Sequence, residues 1–434
     1  MTISNKRSSF GLLSIMTLFL LTFFIYGDLG IPYTPGFLFL SVCAGACVFL
    51  QERRLMVDKT RLLYWMLVAV SVCFAVAPNS LKQRLTLYYA LSMTEFGLLL
   101  LFMRPNEMEI KRVLKWLKIG AVIISLYVIF VFLCPSFYWN HIYPHLGSES
   151  QEYAMELMPN GYGVPIGASV IFADYRITVA ILICLSGILV SNSGKRRVSW
   201  KDVLLLSLYF AAVLIENRRG EVLSLFCAVL CVYLLSMNPK KRPAFLKKFL
   251  WLIAIFVIST VTLLILYQRG ALGRYQSMIG NVIEGESSGD ITSGRSFLWK
   301  IALDLFRRNP VFGIGWQQFL TYNSNHMNVH NTYLQWLCES GITGFILLMI
   351  PMIALFFISL RQFMALVRQS DAQPLSLTMG TVGFGTQVFF LLLNFIDPAF
   401  YHMDYFGFFV LAVMMTEWSG QYQKKANKLI TGLI

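Results

Sequence analysis

Apolar residues along this chain fall in runs of about 15 to 20, separated by short polar segments rich in lysine and arginine. The runs lie near residues 11–27, 34–50, 62–77, 85–103, 116–134, 173–191, 202–215, 221–237, 249–267, 342–360, 376–396 and 405–418. A helix of about 20 residues crosses a hydrocarbon core of about 30 Å, so the pattern predicts an all-α polytopic membrane protein with about twelve transmembrane helices. The runs are unbroken, whereas strands of a transmembrane barrel alternate in hydrophobicity.

Composition agrees: 57% of the 434 residues are hydrophobic and 13% charged, which excludes a soluble enzyme, a secreted disulfide scaffold and a disordered chain. The net charge of +14 would suggest nucleic acid in a soluble protein. Here most of the 36 basic residues cluster in alternate loops, among them Arg53 and Arg54, Lys111 and Arg112, Arg196 and Arg197, Lys240 and Lys241, and Lys424 and Lys425. The positive-inside rule then places both termini in the cytoplasm, and no nucleic-acid partner is implied. Lys6 and Arg7 precede the first run as in a signal peptide, but no A-x-A-like cleavage site follows, so that run is expected to be a retained helix.

This orientation predicts one integral membrane domain over residues 1–434, with two long segments outside, 135–172 and 268–341. No internal repeat or flexible linker divides the chain. Within the larger outer segment, Leu298, Ile301, Ala302 and Leu305 recur at helical spacing between Ser293, an expected N-cap, and Pro310, an expected stop. They predict an amphipathic helix lying on the bundle or bilayer surface. Cys134 and Cys338 lie near the outer face, but sequence fixes no distance between them.

All five histidines, His141, His145, His326, His330 and His402, fall on the predicted outer side. His326 and His330 form an i, i+4 pair that would share one face of a helix and ligate zinc, although the Glu of the metalloprotease motif is missing; a single histidine acting as base, or a hydrogen-bonded one, is the simpler reading. No D-x-D occurs, and the outer E-x-E of Glu284 and Glu286 sits in a Gly/Ser-rich stretch, so no metal is expected. Arg218 and Arg219 form a short turn, ENRRG, between two apolar runs. Arginine's rigid charged fork suits phosphate oxygens, while the bland alternative is an ion pair with Glu216 or Glu221. Glu95 inside the fourth run and Arg176 at the start of the sixth are candidates for substrate binding or for interhelical packing.

GRSFLWKIALDLFRRNPVFGIGWQQF, followed by VHNTYLQWLCESGITG and another apolar run, resembles the signature region of the O-antigen ligase and polysaccharide polymerase superfamily. ENRRGEVLSLF is similar to that family's Thr/Ser-Arg-Gly/Ala turn, and GRYQSM to the start of its large outer loop, so the motifs cover roughly residues 216–345. The resemblance implies that His330 is the catalytic base and that Arg295 with Arg219 or Arg218 holds a lipid pyrophosphate; Asn331 and His326 flank them as possible substrate contacts. Asn217 and Arg218 stand before Arg219 where the family has Thr/Ser-Arg, which leaves open which arginine faces the site.

The family is similar to class C glycosyltransferases, helical membrane enzymes that use no nucleotide sugar, and no cofactor is implied. The implied partners are a polyprenyl (undecaprenyl) pyrophosphate-linked glycan donor, a glycan or lipid A-core acceptor, the lipid bilayer, and a chain-length regulator and flippase. The implied place is the bacterial inner membrane, with the active site on its periplasmic or extracellular face. The expected reaction is metal-independent inverting transfer that polymerises O-antigen, capsule or exopolysaccharide repeats, with ligation to lipid A-core as the alternative. A flippase or transporter is the competing class, disfavoured because such proteins commonly carry repeated halves.

Overall fold

The computed structural model describes short stretches within residues 13–21, and residues 58–80, 84–103, 105–158, 170–192, 199–216, 218–236, 295–324, 326–369 and 371–430. Every regular element among the described residues is helical. The longer helices are α1 (Lys59–Val76), α2 (Arg84–Phe102), α3 (Glu107–Leu133), α4 (Ser148–Leu157), α5 (Val170–Asn192), α6 (Trp200–Glu216), α7 (Arg219–Leu235), α8 (Arg295–Arg308), α9 (Thr332–Arg368), α10 (Pro374–Leu393) and α11 (Met403–Ile430).

Nine of the predicted runs lie on α1, α2, α3, α5, α6, α7, α9, α10 and α11. The runs at 34–50 and 249–267 fall outside the described residues, and only part of 11–27 is described. Among the described residues, four helices are long and apolar enough to cross a membrane: α1, α3, α9 and α10. The fold is therefore that of a helical membrane protein.

Where helix ends differ from the apolar runs, capping explains it. Asn106 accepts from the Glu109 N–H and starts α3 well before the run at 116, across the polar turns EMEIKRVLK. Asn331 accepts from Leu334 N–H at 3.0 Å and starts α9 ten residues before its predicted span. Polar first turns lower local hydropathy without weakening the helix.

α10 is the buried centre, packed on α11, α5, α7 and α9; α1 lies against α9, and α5 against α3 and α6. Chain direction alternates, so the two ends of the bundle are chemically distinct. At one end Arg61, only 1% exposed, pairs with Asp58, donates to Glu417 at 2.8 Å and reaches the Leu100 carbonyl at 2.7 Å. An arginine that looks like a loop charge in the sequence is thus a buried tie between α1, α2 and α11. His330, Arg218 and the link between α10 and α11 lie at the opposite end.

Candidate active site

The signature loop between α8 and α9 is built on one backbone interlock. α9 breaks at Gly341, whose φ of 63° and ψ of −171° interrupt the helical ladder. A break leaves carbonyls before it and N–H groups after it without helical partners. The loop supplies them. Ile314 and Gly315 donate to the Cys338 and Glu339 carbonyls at 2.9 Å each, and Ile342 and Thr343 donate to Pro310 and Val311 at 2.8 and 3.2 Å.

This contact needs two bare backbones. A Cβ on Gly341 would stand 2.3 Å from the Val311 oxygen, and one on Gly313, also left-handed, 2.4 Å from the Glu339 carbonyl carbon. The glycines of GIGW and ESG are therefore two halves of one fit. Gly341→Ala is expected to cost more than the roughly 1–2 kcal/mol of left-handed backbone alone, because the Cβ meets fixed backbone. Gly420→Ala, whose Cβ would have 3.7 Å of room, serves as control. Equal thermal unfolding of both variants in detergent would show that the interlock does not hold the loop.

Side chains complete the seat. Glu339, fully buried, accepts from Tyr401 Oη at 2.9 Å, Gln335 Nε2 at 3.2 Å and Phe319 N–H at 3.4 Å. Asn323 bonds Phe319 and Met327, and Gln335 reaches Asn328 at 3.0 Å. Trp316 lies between Phe74 and Tyr401. In this frame Gln317, His326 and His330 all take left-handed backbone, with φ of 58°, 49° and 52°. Such a conformation in a non-glycine residue persists only where its surroundings enforce it.

His330 is 26% exposed, yet its Nδ1 is buried, so the ring turns its opposite edge outward. Nδ1 faces Asp397 Oδ1 at 3.6 Å, a little beyond hydrogen-bond length. Asp397 lies in the short link between α10 and α11, which is stitched to the first turn of α9. Thr332 N–H donates to the Asn394 carbonyl at 2.8 Å, and Thr332 Oγ1 to the Asp397 carbonyl at 3.3 Å. The other carboxylate oxygen of Asp397 takes Arg218 Nη2 at 3.2 Å, while Nη1 of Arg218 pairs with Glu221.

Burial would raise the Asp397 carboxyl, but the approach of His330 and the charges of Arg218 and His402 outweigh it and hold the group well below the usual carboxylate range. Burial lowers His402 below an ordinary imidazole; Asp397 pulls the other way, and Arg218 and His330 add to the lowering. A depressed histidine favours the fold above its unfolded pKa of about 6.5, and that contribution is lost as pH falls through the lower folded value. His402→Gln is therefore expected to flatten the acid limb of thermal stability below about pH 6.5. An unchanged acid limb would remove His402 from the account.

The structure thus joins His330 to Arg218 through Asp397. Arg219 is half-buried at the first position of α7, and Arg295 half-buried at the first position of α8, the helix that packs on α9. α8 is the predicted amphipathic helix, with Leu298, Ala302 and Leu305 facing inward; its expected cap, Ser293, lies outside the described residues, as do GRYQSM, Glu284 and Glu286. His326 is exposed in an irregular segment with Nδ1 3.0 Å from the Leu320 carbonyl, so the shared helical face that a zinc pair of His326 and His330 would need does not form. Left-handed backbone at both residues is the reason.

Among the described residues, no group of three or more His, Cys, Asp or Glu side chains is arranged to hold a metal ion. Asn331 caps α9 through its Oδ1. Arg176 is buried on α5, donating to the Leu20 carbonyl at 2.5 Å and lying 5.7 Å from the Phe408 ring, and Glu95 is half-buried on α2. Cys134 is exposed, Cys338 buried, and both are free thiols.

Sequence reading missed Asp397. Its signal is an Asp-Pro in a short link between two strongly apolar runs, where a carboxylate has no solvating loop around it.

Residues 203–349 match the family model described as O-Antigen ligase. The chain is also 24% identical over 142 residues to the Exopolysaccharide production protein ExoQ of Rhizobium meliloti (strain 1021), a match covering 29% of this chain and 31% of that protein. The match thus spans less than a third of the relative's length. The family region holds Arg218, Arg219, Arg295 and His330, and Asp397 joins it from outside through the fold. Over residues 203–349 the chain is thus similar to the O-antigen ligase family, and these findings support a relation to that superfamily.

Proposed function

We propose that this protein is a twelve-span glycosyltransferase of the bacterial inner membrane, similar to class C enzymes, that moves a glycan from a polyprenyl pyrophosphate donor to a sugar hydroxyl on the outer face. The observation that carries this reading is the His330–Asp397–Arg218 constellation at the bundle end opposite Arg61 and the basic loops. Positive charge marks the cytoplasmic side, which puts His330 outside.

A buried carboxylate against Nδ1 favours the proton on that nitrogen and leaves Nε2 as the base on the exposed edge. Nε2 takes the acceptor hydroxyl's proton as its oxygen bonds to the donor's anomeric carbon. The carbon–oxygen bond to phosphate breaks, and the pyrophosphate leaves with the electron pair, inverting the centre. Asp397 steadies the imidazolium that forms. Arg295 and Arg219 stabilise charge growing on the leaving group, the work a metal does elsewhere, so transfer is expected to persist in excess chelator. Strict dependence on a divalent ion would direct attention to Glu284 and Glu286.

The relative's name refers to exopolysaccharide production, which favours polymerisation over ligation to lipid A-core. The test supplies purified protein with a defined lipid-linked repeat, with and without lipid A-core, and identifies the products. Lengthened lipid-linked glycan in both arms supports polymerisation; product only on lipid A-core assigns a ligase. In the same assay Arg295→Lys and Arg219→Lys are expected to lose at least about tenfold, because lysine supplies charge without the planar fork. Full activity in both would make them lipid-facing anchors.

A further inference from the structure

α8 ends in Arg307 and Arg308, and the chain then turns through Asn309, Pro310, Val311 and Phe312, closed by Gly313 N–H on the Asn309 carbonyl at 3.1 Å. The tip of this turn is apolar and open: Val311 is 51% and Phe312 66% exposed. Two such side chains at the tip of a polar loop would be costly in water.

Their position explains them. Pro310 and Val311 accept from Ile342 and Thr343, so the tip is fixed beside the first turn after the α9 break. From there Ile342, Ile346, Ile350, Ile353 and Phe357 form an exposed apolar stripe along one face of α9, a candidate membrane span. The next exposed charge on this helix is Arg361. At about 1.5 Å per residue, Ile342 to Arg361 measures roughly 28 Å, close to the hydrocarbon thickness of about 30 Å. On that length Ile342 would sit at the edge of the hydrocarbon on the His330 side, with Val311 and Phe312 beside it.

Arg307 and Arg308 come one turn earlier in the chain, at the end of α8. Lys300 is two turns back from Arg307 on the same exposed face. Arg308 pairs with Asp304 at 2.5 Å in an exposed i, i+4 contact, whereas Arg307 has no acidic partner among the described residues.

We propose that residues 307–312 form a membrane hook, with Val311 and Phe312 seated in the acyl chains and Arg307, supported by Arg308 and Lys300, on the phosphates of anionic phospholipids. The hook sets the depth of α8, which carries Arg295 at its other end. This inference rests on the chain's being a helical membrane protein and stands independently of the transfer reaction.

The test uses the full chain in nanodiscs of phosphatidylcholine, with or without phosphatidylglycerol. Hydrogen exchange of the amides in residues 297–312 is expected to slow several-fold with phosphatidylglycerol, and Arg307→Gln/Arg308→Gln is expected to abolish that slowing. A nitroxide on Phe312→Cys should be relaxed more by oxygen than by a polar nickel chelate. Equal exchange in both lipids, or a label more accessible to nickel, overturns the hook. Slowing produced only by added polyprenyl pyrophosphate also overturns it, by assigning the arginines to the donor.

Discussion

His330→Ala is expected to abolish glycan transfer, a loss of about 10² to 10⁴-fold, while the protein still inserts and unfolds at an unchanged temperature. His330 only approaches Asp397, at 3.6 Å, whereas its neighbours Thr332 and Asn331 hold the elements together through backbone and capping contacts. Asp397→Asn should fall nearly as far in turnover, since an amide can present its oxygen or its NH₂ to Nδ1 and no longer enforces one tautomer or stabilises the imidazolium. His326→Ala is expected to be mild, because that ring lies exposed on the Leu320 carbonyl. Near-wild-type turnover in His330→Ala would dispose of the base assignment, and equal loss at His326 reversed by zinc would favour a metal site.

Removing the guanidinium of Arg218 should act first on stability. Arg218 is 16% exposed and stands between two more deeply buried carboxylates, those of Glu221 and Asp397. Deleting one partner of a buried pair costs about 3–5 kcal/mol, and the partial exposure of Arg218 places this case at or below the lower end. Arg218→Ala is expected to lower the unfolding temperature clearly, and Asp397→Asn to recover part of the loss in the double variant, since the charge left stranded is then gone. Arg219→Ala should cut transfer by more than any change in its stability accounts for. The opposite pattern, a stable Arg218→Ala and a destabilised Arg219→Ala, would exchange the roles of the two arginines. The doublet alone does not separate the two roles, because both side chains sit in the same short turn.

Much of the scaffold was legible because burial in lipid demands long apolar runs, and nine of those runs coincide with helices. The amphipathic helix α8 was legible for the same reason: Leu298, Ala302 and Leu305 repeat at its period and point inward. What hydropathy hides is polar structure that is satisfied locally. The early start of α9 depends on one Asn331 cap, and the break at Gly341 on hydrogen bonds from a loop twenty-odd residues upstream. Arg61 looks like an orientation charge until α11 brings Glu417 to it. Motif likeness marked His330, Arg218, Arg219 and Arg295, but not the carboxylate that turns His330 outward. Asp397 is 67 residues further on in sequence and reaches the site only because α9 and α10 run side by side in opposite directions and return the chain to the same end. The i, i+4 spacing of His326 and His330 does not encode their backbone conformation, which denies them a shared helical face.

Transfer by the isolated protein is the most direct measure of the central claim. Purified in detergent, with one defined polyprenyl pyrophosphate-linked glycan, no nucleotide sugar and no ion gradient, the wild-type protein is expected to release free polyprenyl pyrophosphate in step with new glycosidic bonds, and His330→Ala to release none. Inactivity of well-folded wild-type protein in detergent, with movement of intact lipid-linked glycan across a membrane once a gradient is restored, would contradict the account and make the molecule a transporter.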